Sequence, residues 1–426
     1  MKRSRKPMGV VHGFAVVLLS AVAIDAAEPA FADDNGGITL PEGFRAVVVK
    51  EATGPARHLT VRSNGDIYVA MRRPHQGGGI VALRDTDGDA RADVVNRFGK
   101  KGGTGIRIYK DHLYFAHVRG VLRYSFQGDA LVPDTTPAVV VRGFPRQRSH
   151  ADKPITFDDS GRLYVNVGAP SNACQENPRT PGSPGIDPCP QLERQAGIWR
   201  FPANRLNQDQ SDGQRFATGI RQSVAMRWSP RHGELYVVQH GRDQLHSLWP
   251  DLFTEEQNAE LPGEEFLLVR EGDNFGWPYC YYDHLQGKRV LAPEYGGDGA
   301  KVGRCNRFKE PILAFPGHWA PNDLLFYEGT QFPARFRGGA FIAFHGSWNR
   351  APLPQKGFKV VFVPFEGKQP VKEWEVFADG FAGREVVRSV RDAEYRPMGL
   401  AEGPDGSLYI ADSRQGRIWR VMYTGK

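Results

Sequence analysis

Three arginines and one histidine stand at matching places along this chain, and side chains of those types could grip a polyanion beside a proton acceptor. His150 ends the polar run Arg146-Gln-Arg-Ser-His150, just before the apolar Ile155-Thr-Phe157. A neutral imidazole there could serve as a general base. Arg221 and Gln222 hold the equivalent place in Thr218-Gly-Ile-Arg-Gln-Ser-Val-Ala225. Arg350 closes Phe344-His-Gly-Ser-Trp-Asn-Arg350, and Arg396 opens Arg396-Pro-Met-Gly-Leu400. Guanidinium groups pair bidentately with carboxylates, so convergence of these three would suit an acidic ligand. The alternative for each is a solvated surface charge.

A second cluster, Asp85-Thr-Asp87-Gly-Asp89-Ala-Arg-Ala-Asp93, sets carboxylates at alternate positions around a glycine, the spacing of a calcium loop. It lacks the bidentate Glu and the flanking helices of a full EF-hand, so a solvated Asp-Gly turn is the competing interpretation. The four cysteines flank two loops, Cys174 with Cys189 and Cys280 with Cys305. Sequential pairing is the simplest of three connectivities. There is no Cys-x-x-Cys for a metal site and no Cys-x-x-Cys-His for covalent haem, so structural disulfides are expected.

These residues need a scaffold, and the chain announces one by repetition. A segment of the form Gly/Asp-x-aliphatic-aromatic-aliphatic recurs around Tyr68, Tyr114, Tyr164, Tyr236, Phe341 and Tyr409. Most copies follow an apolar strand and a turn, and most precede a third strand such as Gly197-Ile-Trp-Arg-Phe201. Six such units at intervals above about 40 residues predict an all-β fold, a six-bladed β-propeller with long inserted loops. The spare residues fall after Cys174 and between Gly241 and Phe336, where functional insertions are expected. Composition agrees: 426 residues, 40% hydrophobic, 24% charged, with 49 Gly and 31 Pro. That excludes a coiled coil or a disordered chain. No Gly-x-Ser-x-Gly marks a hydrolase triad, and a propeller lacks the βαβ unit a nicotinamide requires.

Lys2, Arg3, Arg5 and Lys6 precede the apolar run Phe14–Ile24 and then Ala30-Phe31-Ala32. The pattern predicts a signal peptide over residues 1–32, hence a periplasmic or secreted protein, with the propeller over 38–424. The formal charge of +7 is modest and gives no support to nucleic-acid binding. No later run is long and apolar enough to span a membrane, so no integral segment is expected after cleavage.

The chain resembles the pyrroloquinoline-quinone-dependent soluble sugar dehydrogenases, the glucose/sorbosone dehydrogenase family, and most of all its sorbosone dehydrogenase-like branch. The segments that carry the resemblance are Leu40-Pro-Glu-Gly-Phe44, Ser149-His150 with Gly161–Gly168 and Ser171-Asn172, Gly219-Ile-Arg221 and Gly272–Pro278. They continue through Phe332-Pro to Phe344–Arg350 and Arg396-Pro with Pro404–Tyr409. The resemblance implies a six-bladed propeller carrying pyrroloquinoline quinone over its channel, helped by calcium. It implies that His150 takes a hydroxyl proton while hydride passes to the quinone, and that Arg221 polarises the quinone carbonyls. Gln222 stands where the family carries asparagine. Arg396 and Arg350 match residues that pair with quinone carboxylates, and the backbone carbonyls of Gly241 and Arg242 match calcium ligands. Ala169-Pro-Ser-Asn172 replaces the start found in the glucose enzymes, and the Cys174–Cys189 loop is absent from them, so a substrate other than glucose is expected.

The function these readings favour is oxidation of an aldose- or aldehyde-type sugar, with electrons passing to an external cytochrome or quinone. Two alternatives stand beside it: a calcium-dependent lactonase-type hydrolase, and a non-catalytic ligand-binding propeller.

Overall fold

In the computed structural model, which describes residues 1, 4, 27–371 and 374–425, six antiparallel blades surround one axis, five of them four-stranded and the second extended at its edge by a short parallel strand, Gln208–Asp209. Blade 1 runs Ala56–Val61, Ile67–His75, Gly78–Arg84 and Val94–Phe98. Blade 2 starts at Gly103–Tyr109, blade 3 at Ile155–Phe157 and blade 4 at Ser223–Ser229. Blade 5 starts at Pro321–Phe326 and blade 6 at Pro397–Glu402. The ring closes because Phe44–Lys50, near the beginning of the fold, pairs with Ile418–Tyr423 as the outer strand of blade 6. This bears out the all-β, six-bladed expectation. The N-terminal segment expected to be a leader lies mostly outside the described residues.

All six aromatic anchors fall on the second strand of a blade, and each is at most 4% exposed. The reason is geometric. Each sheet is covered on both faces by its neighbours, so its central strands read as continuous apolar runs and not as alternating ones. Tyr68, for example, packs with Ile106 and Phe115 of the next blade. Tyr114 does the same with Ile155 and Leu163.

The inner strands define the axis, and it is sealed midway. Five of the six carry an irregularity in register near the start. At that level a Cβ on Gly105 would sit 2.3 Å from the Lys153 carbonyl, and one on Gly399 would sit 2.5 Å from the Arg57 carbonyl. Only glycine allows the strands to approach so closely. The gap that remains holds a buried polar plug. Arg107 Nη2 donates to Asp323 Oδ1 (3.0 Å), and the other Asp323 oxygen accepts the Leu400 N–H (2.9 Å). His58 Nε2 bonds the Asn322 carbonyl (2.7 Å). The axis therefore ends in two separate mouths, an upper one at the starts of the inner strands and a lower one at their ends.

Candidate active site

The upper mouth is built from the short loops that feed the inner strands. His150 precedes the inner strand of blade 3 and has a left-handed backbone (φ 51°). Gln147 holds it there, donating to the His150 and Ser149 carbonyls (2.8 Å each). Its Nδ1 lies 2.6 Å from the Ala169 carbonyl. A carbonyl can only accept, so Nδ1 carries the proton and Nε2 presents a lone pair. Burial, with the Arg221 charge next, lowers this imidazole to about 3 and keeps it neutral.

Gln222, on the loop before blade 4, meets His150 across Gly168. A Cβ on Gly168 would lie 1.9 Å from Gln222 Oε1 and 2.8 Å from His150 Cβ. Gln222 Oε1 accepts from Asn166 (3.3 Å), while its Nε2 is buried with no partner. A buried amide donor without an acceptor is what a bound oxygen would satisfy.

Arg221 is 3% exposed and fixed on nearly every side. Its Nε donates to the Asn172 carbonyl (3.1 Å), Nη1 to the Gly241 carbonyl (2.8 Å), and Nη2 to Asn172 Oδ1 and Asp243 Oδ2 (2.9 Å each). Four of its five N–H groups are engaged, and one on Nη1 remains. Burial pushes the Asp243 carboxyl up, but Arg221 and Arg179 together bring it well below the usual range. Asp243 and Asn172 thus position Arg221. Neither role was expected from the sequence, because each pairing joins residues far apart in the chain.

Beside them lies an open cavity of about 500 Å³ lined by Arg57, Arg72, Arg73, Arg396, Arg414 and His345. Among the described residues no carboxylate lines it. Arg57 pairs with Asp152 (2.7 Å), and Arg396 Nε donates to the His345 carbonyl (3.0 Å). Burial lowers Arg396 to about 10. Coulombic coupling links the whole ring: His240 feels Arg221, Asp243 and Asp152, and His345 feels Arg396, Arg57 and His240. The structure therefore gathers His150, Arg221, Gln222 and Arg396 around one mouth.

Arg350 is placed otherwise. It is 2% exposed, with Nη2 on Glu260 (2.7 Å) and its other donors on the Ala259, Gly317 and Pro354 carbonyls. It ties the short helix Glu255–Glu260 to blade 5, and its guanidinium is committed to protein acceptors. Arg242 likewise turns its side chain to a buried pair with Glu294. The Gly241 carbonyl, expected to face calcium, is held by Arg221 at 2.8 Å, and a second cation at the same oxygen would meet guanidinium repulsion. That arrangement does not fit a calcium ion.

Asp85, Asp87 and Asp89 do converge, with ligand atoms within 4.8 Å of one another. Asp93 instead accepts from the Thr86 N–H and hydroxyl (2.8 Å each). The loop joins the third and fourth strands of blade 1 at the end opposite the His150 mouth. Both disulfides follow the sequential pairing, Cys174–Cys189 and Cys280–Cys305.

Fold and mouth together define a six-bladed propeller with a basic, imidazole-bearing pocket on its axis. The chain belongs to the TrAA12-like family, which it matches over residues 38–424. A pyrroloquinoline quinone-dependent sugar dehydrogenase of Hypocrea jecorina is 29% identical over 412 residues, covering 90% of this chain and 85% of that protein. A pyrroloquinoline quinone-dependent pyranose dehydrogenase of Coprinopsis cinerea is 27% identical over 420 residues, covering 90% of this chain. The chain spans about half the length of that dehydrogenase (54%) and of an uncharacterised Borreliella burgdorferi protein (48%) that is 29% identical over 210 residues. Among solved structures, the calcium form of a Trichoderma reesei family AA12 enzyme superposes with a TM-score of 0.73 at 19% identity, covering 94% and 99% of the two chains. At that identity the likeness establishes the propeller.

Proposed function

We propose that this protein is an exported quinoprotein dehydrogenase that oxidises an aldose- or aldehyde-type, sorbosone-like sugar with pyrroloquinoline quinone as its cofactor, and passes the electrons to an external acceptor. The observation that carries this is a bare His150 Nε2 and an unpartnered Gln222 amide on the loops that feed the inner strands of blades 3 and 4, at the end of the axis where arginines line a cavity. Family membership and the names of the relatives support it. So does the absence of lining carboxylates, which suits a tricarboxylic cofactor.

When bound, pyrroloquinoline quinone supplies an electrophilic quinone carbonyl that accepts two electrons as hydride. Arg57 and Arg396 are placed to hold carboxylates, and the Gln222 Nε2 to donate to an oxygen. Arg221, held still by Asp243 and Asn172, presents a fixed positive charge that stabilises negative charge growing nearby without reorganising. His150 Nε2 receives the substrate hydroxyl proton, and the Ala169 carbonyl keeps Nδ1 protonated throughout. No step is assigned to calcium.

Reconstitution tests the assignment. Apoprotein given the quinone should retain quinone absorbance through gel filtration and reduce a dye with sugars. His150→Ala should keep the absorbance but lose about 10²–10⁴ in turnover. Loss of both in the wild type rejects the cofactor, and full turnover in His150→Ala rejects the base. Lactone hydrolysis without the quinone would favour the hydrolase instead.

A further inference from the structure

The Arg107–Asp323 plug closes the axis below the upper mouth, so whatever exchanges with that mouth arrives over the upper face of the propeller. The charge of the face decides which visitors come close. It is not evenly spread. Arg72 and Arg73 stand at the upper end of the second strand of blade 1, and Lys100 and Lys101 on the link into blade 2. Arg119 follows on the hairpin after the second strand of blade 2, then Arg146 and Arg148 on the link into blade 3. All seven side chains are exposed, and among the described residues none of them is in an ion pair.

The acids of this region are few and taken. Asp152, the one carboxylate on those links, is held by Arg57 (2.7 Å) and the Thr104 hydroxyl. Glu51, on the link into blade 1, pairs with Arg417 (2.6 Å). At the outer edge of blade 2, Asp209 pairs with Arg142 (3.1 Å) and Asp212 accepts the Asp209 N–H (2.8 Å). The insertions of blades 3 and 4 mix the signs instead, with Glu176, Asp187, Glu193 and Glu255 among their cations.

The cations form one surface. A Cβ on Gly102 would sit 2.5 Å from the Arg72 carbonyl, which brings the Lys101 link against Arg72 and Arg73. Lys101 Nζ lies 3.4 Å from His117 Nε2, and the Arg119 carbonyl accepts the Phe144 N–H (3.4 Å) from the next link. His117 registers the crowding: burial, then Lys101, Arg119 and Lys153, lower its imidazole to about 4. Arg72 and Arg73 also line the upper cavity, so the basic surface runs to the mouth itself.

We infer that the upper face over blades 1 to 3 is the docking surface for an acidic electron-accepting protein, an inference that rests on the dehydrogenase function proposed for this chain. Oxidation of one sugar CH–OH to a carbonyl releases two electrons and two protons. Two one-electron acceptors are reduced in turn, and the protons pass to solvent. Arg57 and Arg396 are assigned to the cofactor carboxylates, so the exposed cations outside them keep their charge when it is bound. Opposite charge speeds encounter by about 10–10³ at low salt and fixes orientation, whereas a neutral sugar gains nothing from the field. An anionic membrane would meet the same cations, but lipid across the mouth would shut out the sugar.

The test presents one haem in two charge states: mitochondrial cytochrome c, which is basic, and the same protein with its lysines succinylated, which is acidic. With holoenzyme and sugar at about 0.01 M ionic strength, the succinylated form should be reduced at least tenfold faster, and the difference should close at about 1 M salt, where the Debye length is about 3 Å. Calorimetry with the apoprotein at the lower ionic strength should show binding of the succinylated form and none of the native form. The triple variant Lys100→Glu, Lys101→Glu, Arg119→Glu alters exposed side chains outside the cofactor contacts. It should lose at least tenfold in both measurements, while reduction of a neutral benzoquinone stays within about twofold. Equal reduction of the two cytochromes, or a preference that survives in the triple variant or at high salt, would overturn the assignment. Binding to phosphatidylglycerol vesicles without any cytochrome preference would also overturn it, in favour of a membrane-facing surface. Failure of wild type to reduce the benzoquinone would reject the dehydrogenase function instead, and the calorimetric comparison would then decide the docking face by itself.

Discussion

Gly168 sets how close His150 and the Gln222 amide can come. Its missing Cβ leaves the space that Gln222 Oε1 and His150 share, and a methyl group 1.9 Å from Oε1 would have to displace the Gln222 amide. Gly168→Ala should therefore push the Gln222 amide aside and cost about 1–3 kcal/mol of stability through overpacking. The expected readout is weaker retention of the quinone together with a lower denaturation midpoint; unchanged retention would separate Gln222 from the cofactor. His150 and Arg221 were legible in the sequence because a loop feeding an inner strand must open on the axis. Arg350 lies instead on the loop after the second strand of blade 5, and Glu260, ninety residues away, draws it into a buried tie.

At the scale of elements, the insertion between Gly168 and Gly197 does more than lengthen blade 3. It carries Asn172, which receives two Arg221 donors, and Arg179, which shares Asp243 with Arg221 at 2.7 Å. The Cys174–Cys189 bridge closes this segment over a separation of 15 residues. Replacing both cysteines with serine should cost about 3 kcal/mol on the loop-closure scale. Because the loop's contacts converge on Arg221, the double variant should also lose the quinone faster on dialysis, while keeping the propeller's far-ultraviolet signature. A stability loss with undiminished cofactor retention would show that the loop is a staple alone. The insertion was visible as surplus length between repeats, but its contacts were not, since they cross from blade 3 to blade 4.

For the molecule as a whole, acid should be the weak side. Burial lowers His58 and His240 to about 4 and His150 to about 3, so the folded chain excludes protons that the unfolded chain takes up near pH 6.5. Stability then falls as pH drops from about 6.5 towards 4, by up to about 1.4 kcal/mol per pH unit for each fully coupled imidazole. The depressed carboxyls of Asp152 and Asp243 add their loss only below the ordinary carboxylate range near 4. Thermal melting at pH 7.5, 6 and 5 should show a progressive fall, accompanied by proton uptake on unfolding. A flat profile across that range would mean the imidazoles titrate alike in the folded and unfolded chain.

The number of blades, their aromatic anchors, the two disulfides and the loops that open on the axis could all be deduced from the chain alone. Each follows from local patterning, which repeats wherever the same strand must be buried on both faces. Tertiary structure alone decided which charges meet. It set Asp243 against Arg221, turned Arg350 and Arg242 into ion pairs with Glu260 and Glu294, and closed the axis with Asp323. Those outcomes depend on distances between blades, and no spacing along a single strand encodes them.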